Sequence, residues 1–238
     1  MSITGYTLPV FAVAAAKAAL IRLENIADKL SSVNLDLVDE KAEIPIEQVA
    51  VLDANSALAI TLSNPGDNLD LTRNTPIWAL VKLSPRGEEV LEEEILILEA
   101  GEGLGKTATG EAAIYSFARR LFATNLLPLI AEDKILTVKI IFPQGRELAK
   151  RTSNEAFGIL EGLALLGTSG ISQPLSAAEH LEEFRATLRE KVKTHSDLVF
   201  CIGANGYSVA QRLSMPESAI IPTGNWLGAL LVEAGLYK

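Results

Sequence analysis

Apolar and polar positions follow two different rhythms along the chain, and the change comes at Pro174. Before it, a helical pattern runs from Leu8 to Leu30. Thr7 stands where an N-cap is wanted, and Pro9 falls near the first turn, where its missing N–H costs nothing. Ala14 to Ala19 supply helix propensity and a face of small side chains that lets another backbone come close. Asn34–Val38 and Glu47–Leu52 alternate with period two, as strands do, whereas Ala57–Leu62 is more uniformly apolar and suits a central strand. Ile77–Leu83 and Glu94–Leu98 read as a strand pair around Ser84-Pro-Arg-Gly87, with Glu92, Glu93 and Glu94 as a solvated edge. Glu111–Asn125 is amphipathic, with Arg119 and Arg120 on its polar side, and Ile135–Phe142 is an apolar run of strand length. Leu160–Leu166 is apolar with Gly162 inside it, and periodicity alone does not separate strand from buried helix there.

After Pro174 the pattern becomes helix, strand, helix, strand, helix. Ser176 with Glu179 three residues on forms a capping box ahead of a helix over Ala177–Lys193. Leu198–Ile202 reads as a buried strand, Tyr207–Leu213 as a helix, Ser218–Pro222 as a short strand and Ala229–Ala234 as a last helix. Such alternation implies parallel strands with crossover helices, and ligands of that architecture sit at the carboxyl ends of the strands. Gly203-Ala-Asn-Gly206 and Thr223–Gly228 both fall at such ends.

Composition narrows the function classes. With 238 residues, 48% of them hydrophobic and 21% charged, the chain can bury a substantial core and is not of disordered type. A formal charge of −9 and only 5% aromatic residues disfavour nucleic acid as a partner, which needs a cationic face or stacking platforms. A single cysteine, Cys201, allows no internal disulfide, and with only His180 and His195 there is no Cys/His cage for a protein-bound metal. A reducing, cytoplasmic setting fits. Leu8–Ala16 looks like the apolar core of a signal peptide, but no Lys or Arg precedes it and Lys17 interrupts it. No run is long enough to span a membrane.

Three loops carry candidate chemistry. Ser63–Pro76 is rich in Pro, Gly, Asn and Asp; its Asp67, Asn68 and Asp70 lack the distal Glu of a calcium loop, so turn chemistry is the simpler reading. Ala100-Gly-Glu-Gly-Leu-Gly-Lys-Thr107 satisfies a relaxed phosphate-loop pattern, which makes a nucleotide-binding protein the rival reading. Against it, helical patterning begins only after Ala108-Thr-Gly110, and no later strand ends in the Asp that would hold Mg²⁺. The loop also follows several strands instead of opening the fold. The third is Pro143–Pro174, which gathers Arg146, Lys150 and Arg151 in an otherwise acidic chain and closes on Gly167-Thr-Ser-Gly170. That combination suits an anion-binding wall or a joint between two domains.

Several pieces, in their order and spacing, are similar to one family. They are Gly5-Tyr-Thr7 ahead of Ala14–Ala19, Asn64-Pro-Gly-Asp67 with Asp70-Leu-Thr72, Gly101-Glu-Gly-Leu-Gly105, Pro143-Gln-Gly-Arg-Glu147, Ala149–Asn154, Leu165–Ile171 and Pro174-Leu-Ser176. Together they resemble the cobalt-precorrin-5B C1-methyltransferases of anaerobic cobalamin biosynthesis, the CbiD family. Where many members carry Thr-Thr-Gly and a Cys, this chain has Thr7-Leu8-Pro9 and Val13. The resemblance implies an α/β fold with an α+β domain over residues 1–174 and a small Rossmann-like domain over 175–238. Members continue past the region of Leu230–Gly235 with a further strand, a Gly/His turn and a helix, so the second domain is expected to be incomplete. A non-catalytic, shortened relative is therefore a second rival.

The implied reaction is methyl transfer from S-adenosylmethionine to ring carbon C1 of a cobalt-containing tetrapyrrole, with cobalt arriving on the substrate. Gly203, Asn205, Gly206, Gly224 and Asn225 are assigned to the S-adenosylmethionine side. Asp67, Thr72, Lys150, Arg151, Thr168, Ser169 and Gly170 are assigned to the corrinoid side. No residue is singled out as the catalyst, and the sequence does not decide the oligomeric state.

Overall fold

The computed structural model describes residues 5–24, 30–38, 40–68, 70–87, 91, 94–152, 154, 158–172 and 177–237, without the side chains of residues 177–180, 183, 204, 205 and 225. The chain divides into two compact units, Met1–Pro174 and Leu175–Lys238. The capping box of Ser176 and Glu179 lies outside the described residues, as do Glu92 and Glu93.

In the first unit β1 (Gly5–Tyr6) leads into α1 (Leu8–Glu24), and β2 (Ser32–Asp36) and β3 (Lys41–Pro45) form an antiparallel hairpin. β4 (Gln48–Asp53), β5 (Ser56–Leu62), β6 (Pro76–Pro85), β7 (Leu96–Ala100), α2 (Ser116–Leu126) and β8 (Lys134–Ile141) follow. Then come the short helix α3 (Gly145–Ala149) and β9 (Ile171–Ser172). The main sheet has the order β4-β5-β6-β8-β7, antiparallel except for the parallel pair β7 and β8. β5 is interior, as its apolar run predicts. β3 carries a clear in–out alternation, with Ala42 and Ile44 buried.

α1 is the centre of this unit. Its residues from Pro9 to Ala16, with Ala18 to Leu20, are buried, and it packs on β5 and β6. The packing is close because both sides are small: Ala57 and Ala59 of β5 and Ala79 of β6 are wholly buried, with Ala59 paired directly to Ala79. The buried Thr61 hydroxyl donates to the Phe11 carbonyl at 3.0 Å, so this polar group at the seam is satisfied. From α2, the buried Asn125 amide mimics a strand neighbour: it accepts from Asp36 N–H at 2.9 Å and donates to Asp36 C=O at 2.8 Å, holding the end of β2.

Two expectations are corrected. Ile77–Leu83 and Glu94–Leu98 are strands but not a pair, because β8 lies between β6 and β7 and bonds to both. Helix α2 starts at Ser116, not at Glu111. Residues before it have other partners: Ala113 N–H donates to Gly105 C=O at 2.8 Å and Tyr115 N–H to Leu165 C=O at 3.1 Å. Leu160–Leu166, left open between helix and strand, is neither; it makes isolated bridges through Leu160, Leu163 and Leu165.

The second unit contains α4 (Ala177–Val192), β10 (Val199–Cys201), α5 (Gly203–Arg212), β11 (Ile220–Pro222) and α6 (Leu227–Ala234). β10 and β11 are parallel, as the alternation implies. The buried residues form small groups, Leu188 with Ile221 and Leu230, and Cys201 with Ala210 and Ile220. Arg185 and Arg189 of α4 lie 2.6 and 3.2 Å from the Glu233 carboxylate of α6, clamping the two helices. The helix expected from Tyr207 begins earlier, with Gly203-Ala-Asn-Gly206 as the opening turn of α5. Gly203 is the residue that takes a left-handed backbone, with φ +62.

Candidate functional site

Five of the seven residues assigned to the corrinoid side lie where three segments meet at the start of α1. β1 pairs antiparallel with β9, with Gly5 opposite Ser172 and Tyr6 opposite Ile171. Tyr6 N–H donates to Asn64 C=O at 3.0 Å and Thr7 N–H to Gly170 C=O at 2.9 Å, so the chain before α1 is held on both sides. Gly5 is required there, since a Cβ would stand 1.9 Å from backbone atoms of Pro65 and Gly66. The Thr7 hydroxyl donates to Ser169 C=O at 3.0 Å, across the junction and not to the helix it was expected to cap. Asn68 donates to the Ser172 hydroxyl at 3.1 Å, bringing the Asp67 loop to the same place.

At this junction Thr168 and Ser169 are exposed, while Gly170 is buried beneath Leu37 and Val10. Thr72 is buried, and both its N–H and its hydroxyl donate to one Asp70 carboxylate oxygen at 2.7 Å. Arg73 donates to the carbonyls of Gly66 and Asn68. Thr72 and Asp70 therefore shape the loop, whereas Asp67, Thr168 and Ser169 are its outward-facing groups. Lys150 and Arg151 follow α3, and among the described residues no hydrogen bond or ion pair ties either to the junction. Lys150 is 2.6 Å from Glu147 on an exposed surface. Arg119 is committed to the Ile114 carbonyl at 2.8 Å, and Arg120 lies over the Phe117 ring.

A second place was only partly read from the sequence. A cavity of about 520 Å³ is lined by Ala100–Leu104, Lys106, Lys139, Arg146 and Glu161. Glycines build it. A Cβ on Gly145 would stand 2.2 Å from the Gly103 carbonyl oxygen and one on Gly162 2.1 Å from it, so three stretches of backbone touch where no side chain fits. Gly103 itself has φ +73. Beside this knot Glu161 holds φ +66, a left-handed conformation that costs a non-glycine residue about 1 kcal/mol. Lys139 pairs with Glu99 at 3.2 Å.

The loop is no phosphate loop. Four of its backbone donors are already used: Gly101 N–H by Ile140, Leu104 N–H by Gly101, Gly105 N–H by Leu163 and Lys106 N–H by Leu160, at 2.7 to 3.3 Å. No helix begins at Lys106, so no helix dipole faces a phosphate there.

In the second unit, Gly203 and Gly206 follow β10 and Gly224 follows β11, at the carboxyl ends of parallel strands. Gly203 and Gly224 are exposed with φ of +62 and +50, and an added Cβ at either would meet nothing within 4 Å. The buried Thr223 donates both N–H and hydroxyl to Cys201 C=O, at 2.8 and 3.1 Å, and so ties the two strand ends together. The side chains of Asn205 and Asn225 lie outside the described residues.

A mixed α/β chain with this sheet order, and with its motif glycines at points of backbone contact, has known counterparts. Residues 2–174 match the model of the CbiD family. Proteins named cobalt-precorrin-5B C(1)-methyltransferase are similar along nearly the whole chain. One from Gloeobacter violaceus is 62% identical over 99% of this chain and 64% of its own length. One from Synechococcus elongatus is 52% identical over 99% of this chain and 63% of its own, and one from Nostoc sp. is 51% identical over 97% and 62%. The chain belongs to the CbiD family. It spans somewhat under two thirds of the length of these relatives. A crystal structure of a cobalamin biosynthesis protein (cbiD) from Archaeoglobus fulgidus has the same fold, with a TM-score of 0.58 at 22% identity over 98% of this chain and 73% of that one.

Proposed function

We propose that this chain serves S-adenosylmethionine-dependent methyl transfer to C1 of cobalt-precorrin-5B. What carries the reading is identity of up to 62%, over nearly every residue of the chain, to proteins named for that reaction. The chemistry asks little of acids and bases. The methyl donor supplies an electrophilic carbon, and the protein's task is to align the partners and keep water out. Under this reading the Asp67 loop and the Thr168–Gly170 turn offer exposed oxygen and hydroxyl groups to the tetrapyrrole. Lys150 and Arg151 meet its carboxylates as exposed surface cations. Gly203, Gly206 and Gly224 leave backbone open at the strand ends of the second unit for the donor, with Asn205 and Asn225 beside them. The cobalt belongs to the substrate, and the setting is the cytoplasm. No helix among the described residues is long and apolar enough to cross a membrane.

Calorimetric titration with S-adenosylhomocysteine, the demethylated donor, tests this. The reading expects a dissociation constant in the micromolar range, unaffected by Mg²⁺ and without competition from ATP. A folded chain that takes up neither this compound nor a corrinoid is a non-catalytic relative.

A further inference from the structure

The Gly101–Gly105 cavity holds charges that the rest of the fold leaves alone. Lys106 and Arg146 line it, and neither side chain has a hydrogen bond or ion pair among the described residues. Glu102 and Glu161 line the same space, equally without a side-chain partner. Elsewhere on this acidic chain, neighbouring opposite charges close up, Lys150 on Glu147 and Arg185 on Glu182 and Glu233, and at the cavity itself Lys139 closes on Glu99. The other four do not, although flexible side chains of opposite sign share one cavity. Gly103, Gly145 and Gly162 are locked backbone to backbone, which fixes the backbone origins of Arg146, next to Gly145, and of Glu161, next to Gly162.

We propose that this cavity is a carboxylate-binding subsite in which Arg146 and Lys106 hold one carboxylate of a ligand. A guanidinium presents paired donors that match a carboxylate, and Lys106 adds a point charge. The two glutamates set the limit. They repel a polyanion such as a triphosphate, and they favour a single carboxylate that has a donor or positive group beside it. Lys106, which looked like the lysine of a phosphate loop, thus has a ligand of another chemistry. The inference rests on the methyl-transfer reading for its candidate ligands, since both participants carry the group: the amino-acid end of the methyl donor, and the acidic arms of the tetrapyrrole.

Titrations of the whole chain with two pairs of probes separate these sources. S-adenosylhomocysteine is compared with methylthioadenosine, which lacks the amino-acid end, and cobyrinic acid with cobinamide, whose arms are amides. Arg146→Ala weakens binding of one acidic probe at least about tenfold and leaves its uncharged counterpart unchanged; Arg146→Lys recovers part of the loss. Loss confined to S-adenosylhomocysteine gives the subsite to the donor, and loss confined to cobyrinic acid gives it to the tetrapyrrole. Wild-type binding that survives intact in both Arg146→Ala and Lys106→Ala overturns the subsite and leaves the methyl-transfer reading standing. Binding of neither acidic probe by the wild type overturns both. Arg146 is exposed, so the thermal midpoint of the variant stays near that of the wild type and loss of binding is not loss of fold.

Discussion

Glycine forces backbones together at two places in the first unit, and the polar groups around them end differently. At the start of α1 several are spent on one another, Asp70 on Thr72, Thr7 on Ser169 and Asn68 on Ser172, while Asp67, Thr168 and Ser169 face outward. Around the Gly101–Gly105 cavity, Arg146, Lys106, Glu102 and Glu161 line one space and, among the described residues, are left unpaired. The first arrangement is what a scaffold needs, since every bond made there helps fix where α1 begins. The second stores no stability in its charges and keeps them available. A motif residue is therefore not a site residue by virtue of belonging to the motif; the bonding around it decides.

The difference can be broken from its strongest side first. Gly162→Ala puts a methyl group 2.1 Å from the Gly103 carbonyl oxygen, and denaturant titration should show a loss of about 3 kcal/mol or more, since neither backbone has room to yield. Thr72→Val removes the hydroxyl that donates to Asp70 but keeps the N–H that does so too, and the same titration should give a loss of about 1 kcal/mol. If the cavity is as described, Arg146→Ala should change stability by less than about 0.5 kcal/mol while carboxylate binding falls. Lys150→Ala should be smaller still, because its exposed pair with Glu147 contributes little. An effect of Arg146→Ala on stability as large as that of Thr72→Val would erase the distinction.

The smallest effect concerns Lys17, the one charged side chain in the buried stretch of α1. Burial lowers its pKa, against a weaker upward pull from Asp36, while its ammonium donates to Asn34 C=O at 2.7 Å. The folded state thus binds the proton less well than the unfolded chain. Stability contributed at this position is reduced while Lys17 is charged and recovers as pH rises through the lowered pKa toward the ordinary lysine range. Melting curves from neutral pH to about pH 10 should show this upward contribution in the wild type and not in Lys17→Met.

Much of this was legible in the chain. Ala-rich α1, interior β5, strand β8 and the alternating elements after Pro174 follow from local pattern, because each buries a face that its own spacing defines. The partnership of β6 and β7 was not, since β8 enters between them from more than thirty residues later and pairing over that distance leaves no local trace. The stretch after Ile159 was unreadable for a different reason: its conformation is set by Gly162 against Gly103, a contact between backbones that carry no side-chain pattern. The same holds for the site. The glycines at 101, 103 and 105 gave a signal, but for the wrong ligand, because only the structure shows the amides of Gly101 and Gly105 already bonded. Arg146 stood out as part of a basic segment. Glu161 did not stand out at all, and its left-handed backbone is invisible in the sequence.

The central claim is that the chain serves methyl transfer, and incubation with S-adenosylmethionine carrying an isotope-labelled methyl group tests it most directly. In the presence of cobalt-precorrin-5B, the account predicts label on ring carbon C1, with S-adenosylhomocysteine released in equal amount. Donor consumption no faster with the tetrapyrrole than without it, by a chain that is folded and binds both, would contradict it.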